Sequence, residues 1–295
     1  MKLLITGFNG FVAGSIIAQA KGKWEIHGVG RSEGPGDEGG LIYHNLDLLD
    51  TPGLTALFNT IKPDAVIHTA AMANIDSCQN NQQQAEKVNI GITQTISSLC
   101  KEHDAKLVFC STDSVFDGTK GDYKETDTPR AVNFYAETKI SGEQLVLAAS
   151  TKNVVARLGL VMGLPVMGQG NSFLADTIDK LKKGVQIPFP INETRTPIDV
   201  ITLGSALIEL AGNDFGGIIH LGGNTKIRRY DMALQIANTL GFPTDLILST
   251  DSNSMPERAT RANDASMDNS LAKKILNTPM LSLSDGLNLT LNFKK

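Results

Sequence analysis

Cysteine is scarce in this chain. Its 295 residues hold three, Cys78, Cys100 and Cys110, with no C-x-x-C spacing. That argues against a disulfide framework and a zinc site and suits a reducing compartment. Histidine is little commoner: His27, His44, His68, His103 and His220 are scattered, with no H-x-x-x-H or His–Cys grouping, so no metal site is expected. No apolar run is long enough to span a bilayer. At the N-terminus Thr6, Gly7, Asn9 and Gly10 interrupt what would have to be the apolar region of a signal peptide. An excess of positive charge is also missing: the net charge is −4, which offers nothing to nucleic acid or an anionic membrane. What is there is an ordinary soluble composition, 41% hydrophobic and 20% charged, with length for one large or two modest domains. The expected location is the cytoplasm.

The first turn organises the rest. A short apolar run, Lys2 to Ile5, reads as a buried parallel strand, breaks at Gly7 and Gly10, and passes Ala13 into a helix over Ser15–Ala20. Strand, glycine turn and helix start form a cradle for a pyrophosphate, because glycines permit close approach and a helix N-terminus offers free N–H groups. The spacing G-x-x-G-x-x-A is looser than G-x-G-x-x-G. Further strands are expected at Glu25–Gly30, Leu41–Leu46, Ala65–Thr69, Lys106–Cys110, Asn153–Leu158 and Gly217–Leu221. A glycine-rich loop covers Gly34 to Gly40. Thr51-Pro52 reads as an N-cap followed by proline at the first helical position. A polar stretch from Asn74 to Gln84 leads into a long helix ending near His103, and helices follow at Phe134–Ala149, Ser172–Lys183, Asp199–Ala211 and Arg229–Leu240. Near-continuous apolar strands alternating with helices argue an α/β fold, a Rossmann-type doubly wound parallel sheet with helices on both faces. Residues 1–158, with returning segments near 199–221, are expected to form the dinucleotide-binding part. Residues 159–295 would mainly form a smaller mixed substrate-binding domain.

Arg31 lies 21 positions after Gly10, where dinucleotide folds read the adenosine ribose. A carboxylate there would suit the 2′-hydroxyl of NAD, whereas Arg31 and Ser32 suit the 2′-phosphate of NADP. Asp47, after the third strand, is placed to meet an adenine amino group or to cap its own loop. Tyr135 and Lys139 form Y-x-x-x-K at the start of a helix, on one face. A nearby ammonium is expected to lower the phenol's pKa, and such a tyrosine can exchange a proton with a substrate oxygen while hydride moves. Ser111, Thr112 and Asp113 end the preceding strand, at the sheet edge where ligands bind. A hydroxyl of Thr112 or Ser111 could bond the same oxygen.

With TGFNGFVAG, STDSVFDG and YAETK in this order, the chain resembles the extended short-chain dehydrogenase/reductases, and more narrowly their dTDP-4-dehydrorhamnose reductase branch. The similarity extends to GIIHLGG at 217–223, Arg229-Tyr230-Asp231 and the stretch from Arg261 to Asp268. The resemblance implies that Gly7, Phe8, Asn9, Gly10, Phe11, Val12 and Ala13 hold the pyrophosphate, with Asp47, Leu48, Ala70 and Ala71 along the rest of the cofactor. It implies NADPH, with NADH as the alternative, favoured by Arg31 and Ser32. Thr112, Tyr135 and Lys139 match the catalytic triad, and Lys139 would also hold the nicotinamide ribose. Ser111, Asp113, Arg195 and Arg261 would face a nucleotide sugar, the implied partner, whose C4 carbonyl is reduced to the alcohol. A homodimer is one assembly the resemblance allows. Three departures fall near the substrate: Ser114 replaces the family's tyrosine, Leu158-Gly159-Leu160 follows Arg157 where aromatic residues are usual, and Ala262 replaces a proline.

A dehydratase of the superfamily needs an acid pair after the threonine, and Asp113 is followed by Ser114. An NAD-retaining epimerase would favour an acid at Arg31. A non-catalytic subunit resembling the methionine adenosyltransferase regulatory subunit remains the alternative from another class.

Overall fold

The computed structural model describes residues 1–31, 41–167, 172–254 and 258–293. The glycine-rich loop expected at Gly34 to Gly40, and Ser32 before it, lie outside the described residues. Seven strands form the central sheet: β1 (Lys2–Thr6), β2 (Glu25–Gly30), β3 (Leu41–Asn45), β4 (Ala65–His68), β5 (Lys106–Thr112), β6 (Val154–Leu158) and β7 (Gly217–Leu221). Their order is β7-β6-β5-β4-β1-β2-β3 and every pairing is parallel. The chain therefore starts in the middle, winds out to β3, and returns across β1 to build the other half. The order reverses between β1 and β4, the switch point at which open α/β sheets bind ligands.

Alternate strand residues face opposite layers. Leu3 and Ile5 of β1 join Ile67, Val108 and Ala156 in one core with α1 (Phe11–Ala20). The other face turns Leu4, Val66, Leu107 and Val155 toward α2 (Thr51–Ile61), whose Leu54, Phe58 and Ile61 are buried. Behind β4 come α3 (Ile75–Asn80) and then α4, a continuous helix over 82–102 containing a π-helical turn at Glu86–Gly91. β5 is followed by α5 (Phe134–Ala149). After α6 (Phe173–Lys182) comes α7 (Val200–Gly212), which packs beside α1 through Leu203, Ala206, Leu207 and Leu210. Their close approach depends on Gly204, where a Cβ would come within 2.7 Å of Ser15 Oγ. Ser15 Oγ in turn donates to the Val200 carbonyl at 2.7 Å.

The remaining chain forms a cap of short pieces. Thr194–Arg195 pairs antiparallel with Ile227–Arg228, and Ile187–Pro190 runs parallel to Ile247–Thr250. Helix α8 (Arg229–Thr239) serves two cores: Met232 and Ile236 meet Met162, Leu174, Leu283 and Leu287, while Ala233 and Ala237 meet Leu181, Phe189 and Ile247.

Three local readings change. The N-cap of α2 is Asp50, not Thr51: its carboxylate accepts from Gly53 N at 3.1 Å, which puts Thr51 inside the helix. α1 begins at Phe11, so the glycine turn runs directly into it. The polar stretch after Asn74 is itself helical, because Asn74 caps α3 through Ser77 N at 2.8 Å.

Candidate active site

The glycine turn opens one side of a cleft of about 470 Å³ at the carboxyl edge of the sheet. Gly7 has φ +70°, and a Cβ there would lie 3.0 Å from Ala70 Cα, so both conformation and space require glycine. Gly10 N–H closes the turn on the Gly7 carbonyl at 2.8 Å. As the N-cap of α1, Gly10 supplies no capping side chain, and the first turn carries no acid. The helix end is thus left open to an anion, and the residues present fit a dinucleotide's pyrophosphate.

Gly7, Phe8, Asn9 and Gly10 line this cleft with Gly30 and Arg31 from the end of β2, then Asp47, Leu48, Ala70 and Ala71. Gln84, Val88 and Ile92 of α4 form the far wall. Asp47 also caps its own loop, its Oδ1 accepting from Leu49 N at 3.0 Å. Phe11 and Val12 turn their side chains from the cleft, while their backbone N–H groups open α1 at the turn expected to hold the pyrophosphate. Val12 packs on the sheet core and Phe11 against Val200 and Ile201, which leaves only their backbone facing the turn. Beneath the cradle His68 Nδ1 meets Thr6 Oγ1 at 2.7 Å and His68 Nε2 meets Thr93 Oγ1 at 3.1 Å. Thr93 already donates to the Asn89 carbonyl, so His68 carries its proton on Nε2 and Thr6 donates to Nδ1. Burial pushes His68 down to about 3, so it stays neutral.

Tyr135 and Lys139 sit on successive turns of α5, whose N-cap Asn133 accepts from Ala136 N at 2.9 Å. The Tyr135 hydroxyl lies near that of Thr112, at the end of β5, and the Thr112 hydroxyl itself donates to Asp113 Oδ1 at 3.3 Å. Burial, the dominant influence, raises the Tyr135 phenol well above its ordinary value. This corrects the expected lowering by Lys139. The ammonium instead stands 4.0 Å from the centre of the Phe109 ring, and burial pulls Lys139 down to about 8. Asn89, in the widened turn of α4, donates to Thr138 Oγ1 at 3.0 Å and to the Met72 carbonyl at 3.1 Å. It thereby ties α5 to the segment after β4.

A second pocket, of about 340 Å³, begins at Thr112 and Tyr135 and runs beneath the cap. Asp113, Ser114, Glu193, Arg195, Arg229 and Arg261 are among its walls. Ala73 and Ile75 also line it, so the segment after β4 borders both cavities. Arg195 stands 3.7 Å from Asp113 and 3.4 Å from Glu193. Glu193 also meets Arg229 at 3.5 Å and Arg258 at 3.1 Å. Burial alone would raise the Glu193 carboxyl, yet Arg229, Arg195 and Arg258 together hold it below its ordinary value. Asp113 shifts the other way: burial raises it despite Arg195. Arg261 pairs with Asp76 at 2.9 Å. Ser111 contributes to the wall, but its hydroxyl donates to Glu143 Oε1 at 2.5 Å, so its expected bond to a substrate is already spent on the protein.

Glu193, Arg229 and Arg258 were not singled out from the sequence as site residues. Arg229 carried a readable signal, since it opens α8, where a cation opposes the helix dipole.

The chain is similar over residues 1–293 to the family described as RmlD substrate binding domain. A solved structure described as a hypothetical dTDP-4-dehydrorhamnose reductase from Sulfolobus tokodaii is 31% identical, with a TM-score of 0.85 over 97% of this chain and 99% of that one. A probable low-salt glycan biosynthesis reductase of Haloferax volcanii is 26% identical over 97% of this chain and 96% of its own length. The methionine adenosyltransferase 2 subunit beta of Xenopus laevis is 27% identical over 82% of this chain and 73% of its own. By sequence over nearly its whole length, and by a sheet and two cavities built as described, the chain belongs to the RmlD substrate-binding domain family of the extended short-chain dehydrogenase/reductases.

Proposed function

We propose that the protein reduces the C4 carbonyl of a nucleotide-linked 4-keto-6-deoxy sugar with NADPH. The observation that carries this reading is that Tyr135 and Thr112 together line an arginine-walled pocket beside the glycine-turn cleft. The cofactor would supply the hydride and leave as NADP⁺. Gly7 and Gly10 with the start of α1 would hold its pyrophosphate, and Arg31 its 2′-phosphate. Tyr135 gives its proton to the carbonyl oxygen as the alkoxide forms, so the C=O becomes CH–OH. Thr112 orients that oxygen by a second hydrogen bond. Lys139 would hold the ribose hydroxyls of the bound cofactor and offset negative charge arising on Tyr135. Arg195, Arg229 and Arg261 suit the diphosphate of the sugar nucleotide, because guanidinium groups match phosphate oxygens in pairs. Glu193 gathers Arg195 and Arg229 on one side of that pocket, and Asp76 holds Arg261.

The test is NADPH oxidation against a panel of dTDP-, UDP- and GDP-linked 4-keto-6-deoxy sugars. At least one should be reduced by the wild type and not by Tyr135→Phe. If none is turned over faster than by that variant, the reading fails. The similarity to the methionine adenosyltransferase beta subunit supports a second reading, a non-catalytic NADP-binding subunit. It predicts no turnover of any sugar together with stoichiometric binding to a methionine adenosyltransferase catalytic chain.

A further inference from the structure

Glu143 lies on α5 one turn beyond Lys139 and two beyond Tyr135, spacings that keep all three on one helix face. It is only 3% exposed, and its carboxylate is fully engaged. Ser111 Oγ donates to Oε1 at 2.5 Å, Arg157 Nε reaches the two oxygens at 3.0 and 3.2 Å, and Arg157 Nη2 donates to Oε2 at 2.8 Å. Arg157 is closed in by the Phe116 ring at 5.1 Å and His220 Nε2 at 3.4 Å. A buried ion pair seldom adds stability over a well-packed apolar pair, so this one calls for a reason other than stability.

We propose, building on the reaction assigned above to Tyr135 and Lys139, that Glu143 is a positioning residue for that pair: it stands as the buried carboxylate one turn from Lys139 on the same helix face and locks the end of β5 to α5. The lock is geometric. Ser111 immediately precedes Thr112, so the bond from Glu143 to Ser111 fixes where the Thr112 hydroxyl stands relative to Tyr135.

The charge argument is one of elimination among the groups around Lys139. β5 contributes the Phe109 ring and Cys110, α3 contributes Cys78, β4 contributes His68, and α5 itself contributes Tyr135 and Glu143. α4 brings the uncharged Asn89 beside Thr138. Arg157 of β6 lies behind Glu143, and Asp113 acts on Tyr135. Burial holds the Cys110 thiol up to about 12 and raises Cys78 as well, so neither is a thiolate at neutral pH. Tyr135 is protonated and His68 neutral. Glu143, equally buried and one turn away on the same face, is among the described residues acting on Lys139 the anion left to oppose desolvation of the ammonium.

The test follows the Lys139 ¹³Cε resonance with pH in the cofactor-free protein, wild type against Glu143→Gln. The midpoint should fall by about 1 unit or more in the variant, the effect of losing a close opposite charge. The alkaline limb of kcat/KM should move down with it. Equal midpoints in the two proteins overturn the charge role. Because glutamine leaves Arg157 buried without its partner, Glu143→Gln/Arg157→Met is the companion should the single variant fail to fold. The same lower midpoint is expected there, and an unchanged one overturns the proposal. Ser111→Ala isolates the lock: kcat should drop at least tenfold with the Lys139 midpoint unmoved, and an unchanged kcat removes that half. Failure of the wild type on every sugar would sink the assigned reaction, while the resonance still decides the role of Glu143.

Discussion

At Tyr135 the phenol is largely buried, and the cost of that burial falls on the phenolate. The side chain therefore rests as an acid, the form a reductase needs. Tyr135→Phe should lower kcat by about 10²–10⁴-fold, the usual contribution of a general acid, with NADPH affinity unchanged in calorimetry. Lys139 is affected in the opposite sense, because burial makes its ammonium easier to lose, at about pH 8. Activity that needs the charged form should be full below that pH and fall as pH rises through it. A flat profile from pH 7 to 9 would show that Lys139 need not be protonated. At the far end of the cleft, Arg31→Ala should narrow the preference for NADPH over NADH, and equal affinities in the wild type would remove Arg31 as the discriminator.

Elements place these side chains, and their packing can be perturbed separately from the chemistry. Gly204→Val would drive a side chain into Ser15 and Gln19 of α1. Overpacking of this kind costs about 1–3 kcal/mol, read as a lower urea midpoint, and should weaken NADPH binding because α1 carries the cradle. His68 links β4 to β1 and α4 and stays neutral in the fold down to about pH 3, whereas the unfolded chain takes up its proton near 6.5. The unfolded state thus binds more protons between those values, so stability is fullest above pH 6.5 and declines as pH falls toward 3. Comparing urea midpoints at pH 7.5 and 5, His68→Gln should show a smaller acid loss than the wild type. Elements of this kind were the legible ones. Val66 and Ile67, or Val155 and Ala156, are buried on both faces and read as parallel strands without reference to their partners. The glycine turn was legible because φ and space leave Gly7 no substitute. The cap was not, since strands as short as Thr194–Arg195 have no period to read and gain their meaning from residues far along the chain. The same distance hid Glu193, which matters only once Arg229 and Arg258 are folded against it.

For the molecule as a whole, the two cavities draw on opposite ends of the sequence: the glycine turn comes first, and the arginines lie beyond residue 190. Glu193 joins three separate stretches of the cap through Arg195, Arg229 and Arg258. Glu193→Gln leaves the buried Arg195 and the partly exposed Arg229 and Arg258 with less compensation and should destabilise by up to about 3 kcal/mol. Hydrogen exchange should report that loss first in the cap, and uniform loss through the sheet would contradict a cap held by this one carboxylate.

Between the cavities runs the segment after β4, with Ala70 and Ala71 on one side and Ala73 and Ile75 on the other. A wall shared by two chambers is where occupancy of one would alter the free energy of filling the next, on the function proposed above. Such linkage is reciprocal: the factor by which NADPH changes sugar-nucleotide affinity must equal the factor by which the sugar nucleotide changes that of NADPH. Ordered addition in this protein would then be a matter of which ligand finds its chamber open first, while the closed thermodynamic cycle, sensitive to Ala73→Val, measures how stiff the wall is.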